Sequence, residues 1–312
     1  MIQYLMIPHK LLLMIRKNLL LLLGIFVGTN NIPQNTYAIP IIGPCSTPLA
    51  RQTFKITSHF LYMDFHDKWI PIDTAWAPLG KDSSYRAVLS LWELYYGFEN
   101  IFTLRAAAQL HYQNKHLGEG KIIYGVGDIV IDAKYNIWGP AHRELTYAGK
   151  LYPEFSAIGG MRLPMGSSKD TPAPVVRWLG GRSTDVEICG LFRVGNGIGA
   201  VYGTIGYWYN GVSGDDRDDE VFYNFTVEGP QIFEKNYLIL LVELDGSKIG
   251  RYYHLTQICP GAQFIITYGR GIKAAWRVEQ AVVIEASVLI PIEAEGEYKY
   301  RVTPFIGMTW TF

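Results

Sequence analysis

The sequence is short of charge. Only 18% of its 312 residues are charged, whereas soluble domains carry roughly 25%. The 28 basic residues are balanced by 28 acidic residues, so the formal net charge is zero. A chain without an excess of positive charge lacks the electrostatic attraction on which nucleic-acid binding depends. We therefore expect no nucleic-acid partner.

Cysteine is scarce, and catalytic patterns are missing. The three cysteines, Cys45, Cys189 and Cys259, are odd in number and show no CxxC or Cys/His spacing of a zinc site. His59 and His111 have no evident serine or carboxylate partner of the kind that nucleophilic catalysis needs. The sequence therefore predicts no disulfide scaffold, no metal site, no cofactor and no enzyme.

Long hydrophobic runs are also lacking. The longest, Leu19 to Val27, follows Arg16 and Lys17 and is shorter than the roughly 20 residues of a membrane-spanning helix. It is typical of a signal peptide covering residues 1–38, with Met14 as an alternative start. We expect an exported chain, with a periplasmic N-terminal segment at 39–51.

Glycine and aromatic residues are abundant, and beyond residue 51 the hydrophobic period is close to two. This period indicates strands, and most of these segments are long enough to cross a bilayer at a tilt. Short turns such as "GIG" alternate with long polar loops, as in outer-membrane barrels. The long polar loops are predicted at 66–84, 166–183 and 212–220. About twelve strands are predicted, at 52–65, 84–96, 101–113, 123–138, 151–165, 185–196, 200–211, 220–229, 236–246, 253–267, 279–292 and 299–312.

The last strand favours a membrane over a soluble sandwich. Gly307, Trp310 and Phe312 match the C-terminal signal by which outer-membrane barrels are inserted, although Phe305 departs from the usual polar position. A sheet in hydrocarbon cannot leave edges unpaired, so the first and last strands should pair. We predict an all-β fold, a closed antiparallel transmembrane β-barrel over 52–312. Its expected partners are outer-membrane lipids, lipopolysaccharide and the barrel-assembly machinery, which would recognise the C-terminal strand.

Several segments resemble one family of outer-membrane barrels. They are "YGVGDIVIDAKYNIW" (124–138), "FSAIGGMRLPMG" (155–166), "GTIGYWYN" (203–210), "YLILLVELDG" (237–246) and "ICPGAQF" (258–264). The chain is similar here to the transporters of the meta-pathway of phenol degradation. The resemblance implies a bacterial outer-membrane channel for small hydrophobic or aromatic solutes, without a catalytic motif.

The alternation places charges of both signs on one face of the strands, in near balance. Two interpretations stay open: a ladder of salt bridges that stiffens the wall, or a gated solute path. The matching functions are a passive channel for a hydrophobic or aromatic solute and a structural or adhesive barrel with a plugged lumen; a lipid enzyme is a third. The candidate lumen-lining residues are Arg105, Asp128, Asp132, Lys134, Arg162, Glu187, Arg193, Glu243 and Glu285. The alternation also places Lys55, Glu93, Glu154, Glu228 and Arg301 on this face.

Overall fold

The computed structural model describes Leu49 and most of the chain from residue 52 onward. The predicted signal peptide and nearly all of the segment 39–51 lie outside this part. Within it, no helix has the length and apolar character needed to cross a membrane. The described residues are 49, 52–70, 75–78, 84–99, 101–117, 119–139, 152–166, 183–195, 199–213, 218–232, 236–250, 253–270, 279–295, 298–300 and 302–312.

The described residues form β-strands almost throughout. In chain order the strands are β1 (Phe54–Ile70), β2 (Ala75–Pro78), β3 (Ser84–Glu99), β4 (Phe102–Leu117), β5 (Glu119–Val126), β6 (Ile129–Trp138), β7 (Tyr152–Leu163), β8 (Thr184–Gly195), β9 (Ala200–Ser213), β10 (Glu220–Ile232), β11 (Asn236–Ile249), β12 (Tyr253–Arg270), β13 (Glu279–Glu295), β14 (Tyr298–Tyr300) and β15 (Thr303–Thr311).

These strands close into a twelve-stranded antiparallel barrel. Strands that are neighbours in sequence pair around the wall. β5 and β6 together occupy one of the twelve strand positions, as do β14 and β15, and the short β2 pairs with the end of β1. The barrel closes at β1, where Thr57 pairs with Glu93 of β3 and with Thr309 of β15. Phe54 and Phe312 also exchange two backbone hydrogen bonds, of 2.9 and 3.0 Å. The predicted fold class is confirmed.

Side chains alternate between the two faces of the wall. Along β8 the pattern is strict: Glu187 and Cys189 are buried, whereas Val186 and Ile188 are exposed. Because a strand has a period of two, buried residues point into the closed barrel and exposed residues point outward. The outer face is rich in large apolar side chains, and Ile188 is 67% exposed. Such an outer surface is typical of a barrel surrounded by hydrocarbon.

The structure corrects three predicted boundaries. Residues 66–84 were predicted as one long loop, but β1 runs on to Ile70 and pairs with β2. The predicted strand 123–138 is interrupted between β5 and β6, at the point where Gly127 donates a backbone hydrogen bond to Gln109. The predicted strand 299–312 is divided into β14 and β15. The observed strand ends follow backbone pairing with neighbouring strands, which polarity and alternation in the sequence do not specify.

Candidate functional site

The candidate site is the inner wall of the barrel, and it is more acidic than predicted. Among the described residues, eleven acidic side chains are buried, against three basic ones. Arg105 and Lys134 add two half-buried basic groups on the same face. The buried charged residues are Glu93, Asp128, Asp132, Glu154, Asp185, Glu187, Glu220, Glu228, Glu243, Asp245 and Glu285, with Lys55, Arg162 and Arg193. The predicted near balance of charge is wrong for this part of the wall.

Sequence reasoning missed three of these acids, namely Asp185, Glu220 and Asp245. Asp185 and Glu220 stand at the first positions of their predicted strands, where boundary errors are largest. Their parity with Glu187 and Glu228 places them on the inner face. Applying the alternation up to the strand ends would have identified them.

Arg105 bridges two carboxylates on the strands to either side of β4. Its Nη1 lies 2.9 Å from Oε1 of Glu93, and its Nη2 lies 2.5 Å from Oδ2 of Asp132. Asp132 is the direct cross-strand partner of Arg105 on β6. Because all three side chains point inward from adjacent strands, they form a short ion-pair ladder across β3, β4 and β6.

Arg162 forms a second ion pair, between β7 and β8. Its Nη1 lies 3.1 Å from Oδ2 of Asp185, and its guanidinium lies over the ring of Trp208, 4.3 Å from the centroid. The other carboxylate oxygen of Asp185 accepts hydrogen bonds from Ser183 Oγ and from the backbone N–H of Gly211. This carboxylate is therefore fully satisfied.

His59 and Glu285 connect β1 with β13 on the inner face. His59 Nε2 lies 2.8 Å from Oε1 of Glu285, and Gln263 donates a 2.9 Å hydrogen bond to Oε2. The backbone of Gly307 on β15 leaves space between them, since a Cβ at Gly307 would lie within 2.6 Å of both side chains. A side chain at this position would separate His59 from Glu285.

Arg193 forms a separate polar group farther along β8. It lies six residues from Glu187 on the same strand, so the two side chains are not cross-strand partners. Arg193 is the cross-strand partner of Glu154, and its guanidinium lies 5.5 Å from the ring centroid of Tyr202. Tyr202 in turn donates a hydrogen bond to Glu228.

Glu187 differs from the other buried acids in its hydrogen bonding. It is 5% exposed, and its Oε2 has no hydrogen-bond partner. Among the buried carboxylate oxygens of the described residues, it is the only one in that condition. Charged groups around it include Arg105, Asp132, Arg162 and Glu220.

The remaining predicted lumen residues are also on the inner face. Asp128 accepts a 2.8 Å hydrogen bond from the backbone N–H of Gly166. Lys134 is half-buried on β6. Glu243 is fully buried and accepts a hydrogen bond from Asn224, with a separation of 3.3 Å. The structure thus distributes the nine predicted residues among several polar groups, not around one centre.

An apolar cluster that the sequence analysis did not predict lies inside the barrel. It covers six neighbouring strands of the wall: β3, β1, β15, β13, β12 and β11. The alternation held a signal for it, because the inner face of β1 changes from Lys55, Thr57 and His59 to Leu61 and Met63. We call this cluster the apolar patch; it consists of Leu61, Met63, Phe65, Tyr85, Ala87, Leu89, Leu241, Leu255, Cys259, Leu289 and Phe305.

The predicted insertion signal lies at the seam of the barrel. Gly307 faces inward, whereas Trp310 and Phe312 are exposed on the outer face. The ring of Phe312 stacks on Phe54, with centroids 6.0 Å apart, and Phe54 contacts Tyr96. These rings form a continuous row of contacts on the outer face, from the last strand through β1 to β3.

The described residues contain no group of three His, Cys, Asp or Glu side chains placed to hold a metal ion. Cys189 and Cys259 are free thiols, and Cys259 Sγ contacts the hydroxyl of Ser287 at 2.6 Å. The side chain of His111 lies outside the described part. The expectation that the protein is not an enzyme stays a prediction.

Comparison with solved structures supports the fold. An outer membrane channel from Pseudomonas putida F1 is similar, with a TM-score of 0.60 and 11% identity, over 88% of this chain and 100% of that chain. The β domain of the Bordetella autotransporter BrkA (TM-score 0.41, 12% identity, 84% and 100% covered) and the CymD monoaromatic hydrocarbon channel (0.38, 7%, 84% and 88%) overlap too loosely to carry an argument.

No family model and no curated protein matches the chain. At 11% identity, the similarity to the Pseudomonas putida channel shows a shared fold alone. The resemblance of the sequence to transporters of the meta-pathway of phenol degradation therefore stays a prediction. What the comparison establishes is a closed β-barrel of the outer-membrane type.

Proposed function

We propose that the protein is a passive channel of the bacterial outer membrane that admits small hydrophobic or aromatic molecules. The observation that carries this proposal is the apolar patch on the inner wall. The inside of a barrel with an apolar outer face is expected to be polar. A continuous apolar cluster inside suits a solute that is itself apolar.

The magnitude of apolar burial supports this choice. Each Å² of apolar surface removed from water contributes about 25 cal/mol, so a small aromatic molecule gains several kcal/mol by lying against such a wall. The residues of the patch come from six strands, and their side chains include the rings of Phe65, Tyr85 and Phe305. Phe65 and Tyr85 already stack on each other, with centroids 4.3 Å apart.

The outer face supports the proposed membrane location. It carries many large apolar side chains, and the aromatic rings of Phe54 and Phe312 stack across the seam. Rings in this position anchor barrels at the membrane interface. We propose that outer-membrane lipids and lipopolysaccharide contact this surface, and that the barrel-assembly machinery recognises the strand carrying Gly307, Trp310 and Phe312.

One observation favours the alternative, a structural or adhesive barrel with a plugged lumen. The residues of the apolar patch are at most 3% exposed, so their side chains are packed against other atoms. A solute can pass only if these contacts separate. Measurement of flux distinguishes the two functions, because a plugged barrel carries no solute.

We predict that Leu289→Asn lowers uptake of an aromatic hydrocarbon by about tenfold, because one buried leucine contributes roughly 1.5 kcal/mol or more to an apolar site. Leu289 is fully buried in the apolar patch, opposite Thr303, whose buried Oγ1 has no hydrogen-bond partner. The new amide thus has a polar neighbour, and the barrel should still fold. The measurement is uptake of labelled toluene by Gram-negative cells expressing the protein.

Leu289→Met is the matched control, since a swap of similar volume keeps the surface apolar and should keep most of the uptake. Heat-dependent migration on gels verifies that each variant is folded. Uptake by the wild type equal to that of cells without the protein would contradict the channel and favour the plugged barrel.

A further inference from the structure

We propose that Glu187 and the charged groups around it form a binding site for the ammonium group of an organic cation that also carries an apolar or aromatic body. The inference rests on the proposed channel function for the route by which the solute arrives. Binding itself can be measured without transport. We call the site the acidic belt; it comprises Arg105, Asp132, Arg162, Asp185, Glu187 and Glu220.

The belt follows the register of neighbouring strands. Arg105 pairs with Asp132, Asp132 with Gly160, Gly160 with Glu187, and Glu187 with Trp208. These residues therefore lie side by side along one path on the inner wall. Four acids and two arginines make up the belt, so its charge is negative, and it attracts cations and repels anions.

The arginines of the belt are already engaged. Arg105 bridges Glu93 and Asp132, and Arg162 pairs with Asp185 while lying over Trp208. Neither arginine makes a hydrogen bond to Glu187 Oε2, which has no partner in the protein. A buried carboxylate oxygen without a donor is unfavourable. Glu187 Oε2 therefore lacks a positively charged hydrogen-bond donor, and the ammonium group of a ligand would supply one.

A second apolar cluster lies next to Glu187. Ile158, Cys189, Leu191, Trp208 and Phe222 form a buried cluster on strands β7 to β10. Cys189 is two residues from Glu187 on the inner face of β8, and Trp208 on β9 is the cross-strand partner of Glu187. A solute with its ammonium group at Glu187 can therefore place an apolar body against this cluster, and aromatic faces also attract cations.

The same features argue against other ligands. An anion such as a carboxylate would lie among the four acids of the belt. A bound metal ion requires several oxygen ligands at short distance, and the described residues contain no such group. A neutral alcohol can donate a hydrogen bond to Glu187, but without the gain in strength that a charged donor brings. The order of affinity should therefore be ammonium, alcohol, carboxylate.

The test is calorimetric titration of the folded, detergent-solubilised protein with three probes of similar size: benzylammonium, benzyl alcohol and benzoate. We expect benzylammonium to bind about tenfold more tightly than benzyl alcohol, the gain of a charge-assisted hydrogen bond to a buried group. Benzoate should bind most weakly. Glu187→Gln should remove most of the difference between benzylammonium and benzyl alcohol, because it removes the charge and nearly preserves the shape.

Asp64→Asn is the matched control. Asp64 lies outside the belt on β1, where it pairs with the exposed Arg86 at 3.7 Å; its neutralisation should leave the preference intact. Equal affinities for the three probes, or a preference that survives Glu187→Gln, would overturn the site. Failure of the proposed channel is distinct: the protein would then bind benzylammonium with the predicted preference but admit no toluene.

Discussion

Replacing Arg105 with Met is expected to destabilise the barrel by about 3 kcal/mol, the typical cost of leaving buried charges without their partner. Arg105 holds Glu93 and Asp132 together, and both carboxylates are nearly inaccessible to solvent. Without the guanidinium, two negative charges face each other in a region of low dielectric constant. The measurement is equilibrium unfolding by guanidinium chloride in phospholipid vesicles, followed by tryptophan fluorescence.

The control removes all three charges together. Arg105→Met combined with Glu93→Gln and Asp132→Asn leaves no uncompensated charge, and uncharged replacements of a buried ion pair are often close to neutral in stability. We therefore expect the triple variant to recover most of the lost stability. A single variant as stable as the wild type would show that water solvates these carboxylates and that the ladder does not stiffen the wall.

A methyl group at Gly160 should destabilise the barrel by about 2 kcal/mol, within the usual range for overpacking. A Cβ added to Gly160 would lie 2.5 Å from Cβ of Asp132, 3.2 Å from its Cα and 3.1 Å from the carbonyl oxygen of Ile131. Two of these three atoms belong to the backbone of β6, so rotation of a side chain cannot relieve the contact. Movement of β6 would also draw Asp132 away from Arg105.

The neighbouring glycine provides the matched control. Gly159 lies on the outward face of β7, and a Cβ added there meets no atom within 4 Å. Gly159→Ala should therefore change the unfolding free energy by no more than about 0.5 kcal/mol. The contrast between the two adjacent positions tests the assignment of faces directly. If both variants lost the same stability, the assigned faces of β7 would be wrong.

Much of the fold follows from the sequence because the period of two is strong in long strands. In β8 the alternation separates Glu187 from Val186 and Ile188 without ambiguity, and closure follows from the impossibility of free edges in hydrocarbon. The termini of strands are weaker, since the period does not mark where pairing ends. The extension of β1 along β2 is one example.

The interior could be predicted only in part. Parity identified charged residues such as Arg105 and Asp132, but it did not reveal which acid each arginine contacts. That choice depends on register, which a single sequence does not specify. The apolar patch was missed because the prediction followed the charges on the inner face and disregarded Leu61 and Met63. The unpartnered oxygen of Glu187 depends on the exact positions of two arginines on other strands.

Closure of the barrel between its first and last strands is tested most directly by a disulfide. Thr57 on β1 and Thr309 on β15 are direct cross-strand partners, and their hydroxyls lie 3.1 Å apart on the inner face. Directly opposed residues of an antiparallel pair are close enough for a disulfide. In a background without Cys45, Cys189 and Cys259, we make Thr57→Cys together with Thr309→Cys. Oxidation of the folded protein should yield the linked peptide by mass spectrometry, and the chain unfolded in urea should yield far less. Two free thiols after oxidation of the folded protein would contradict a closed barrel.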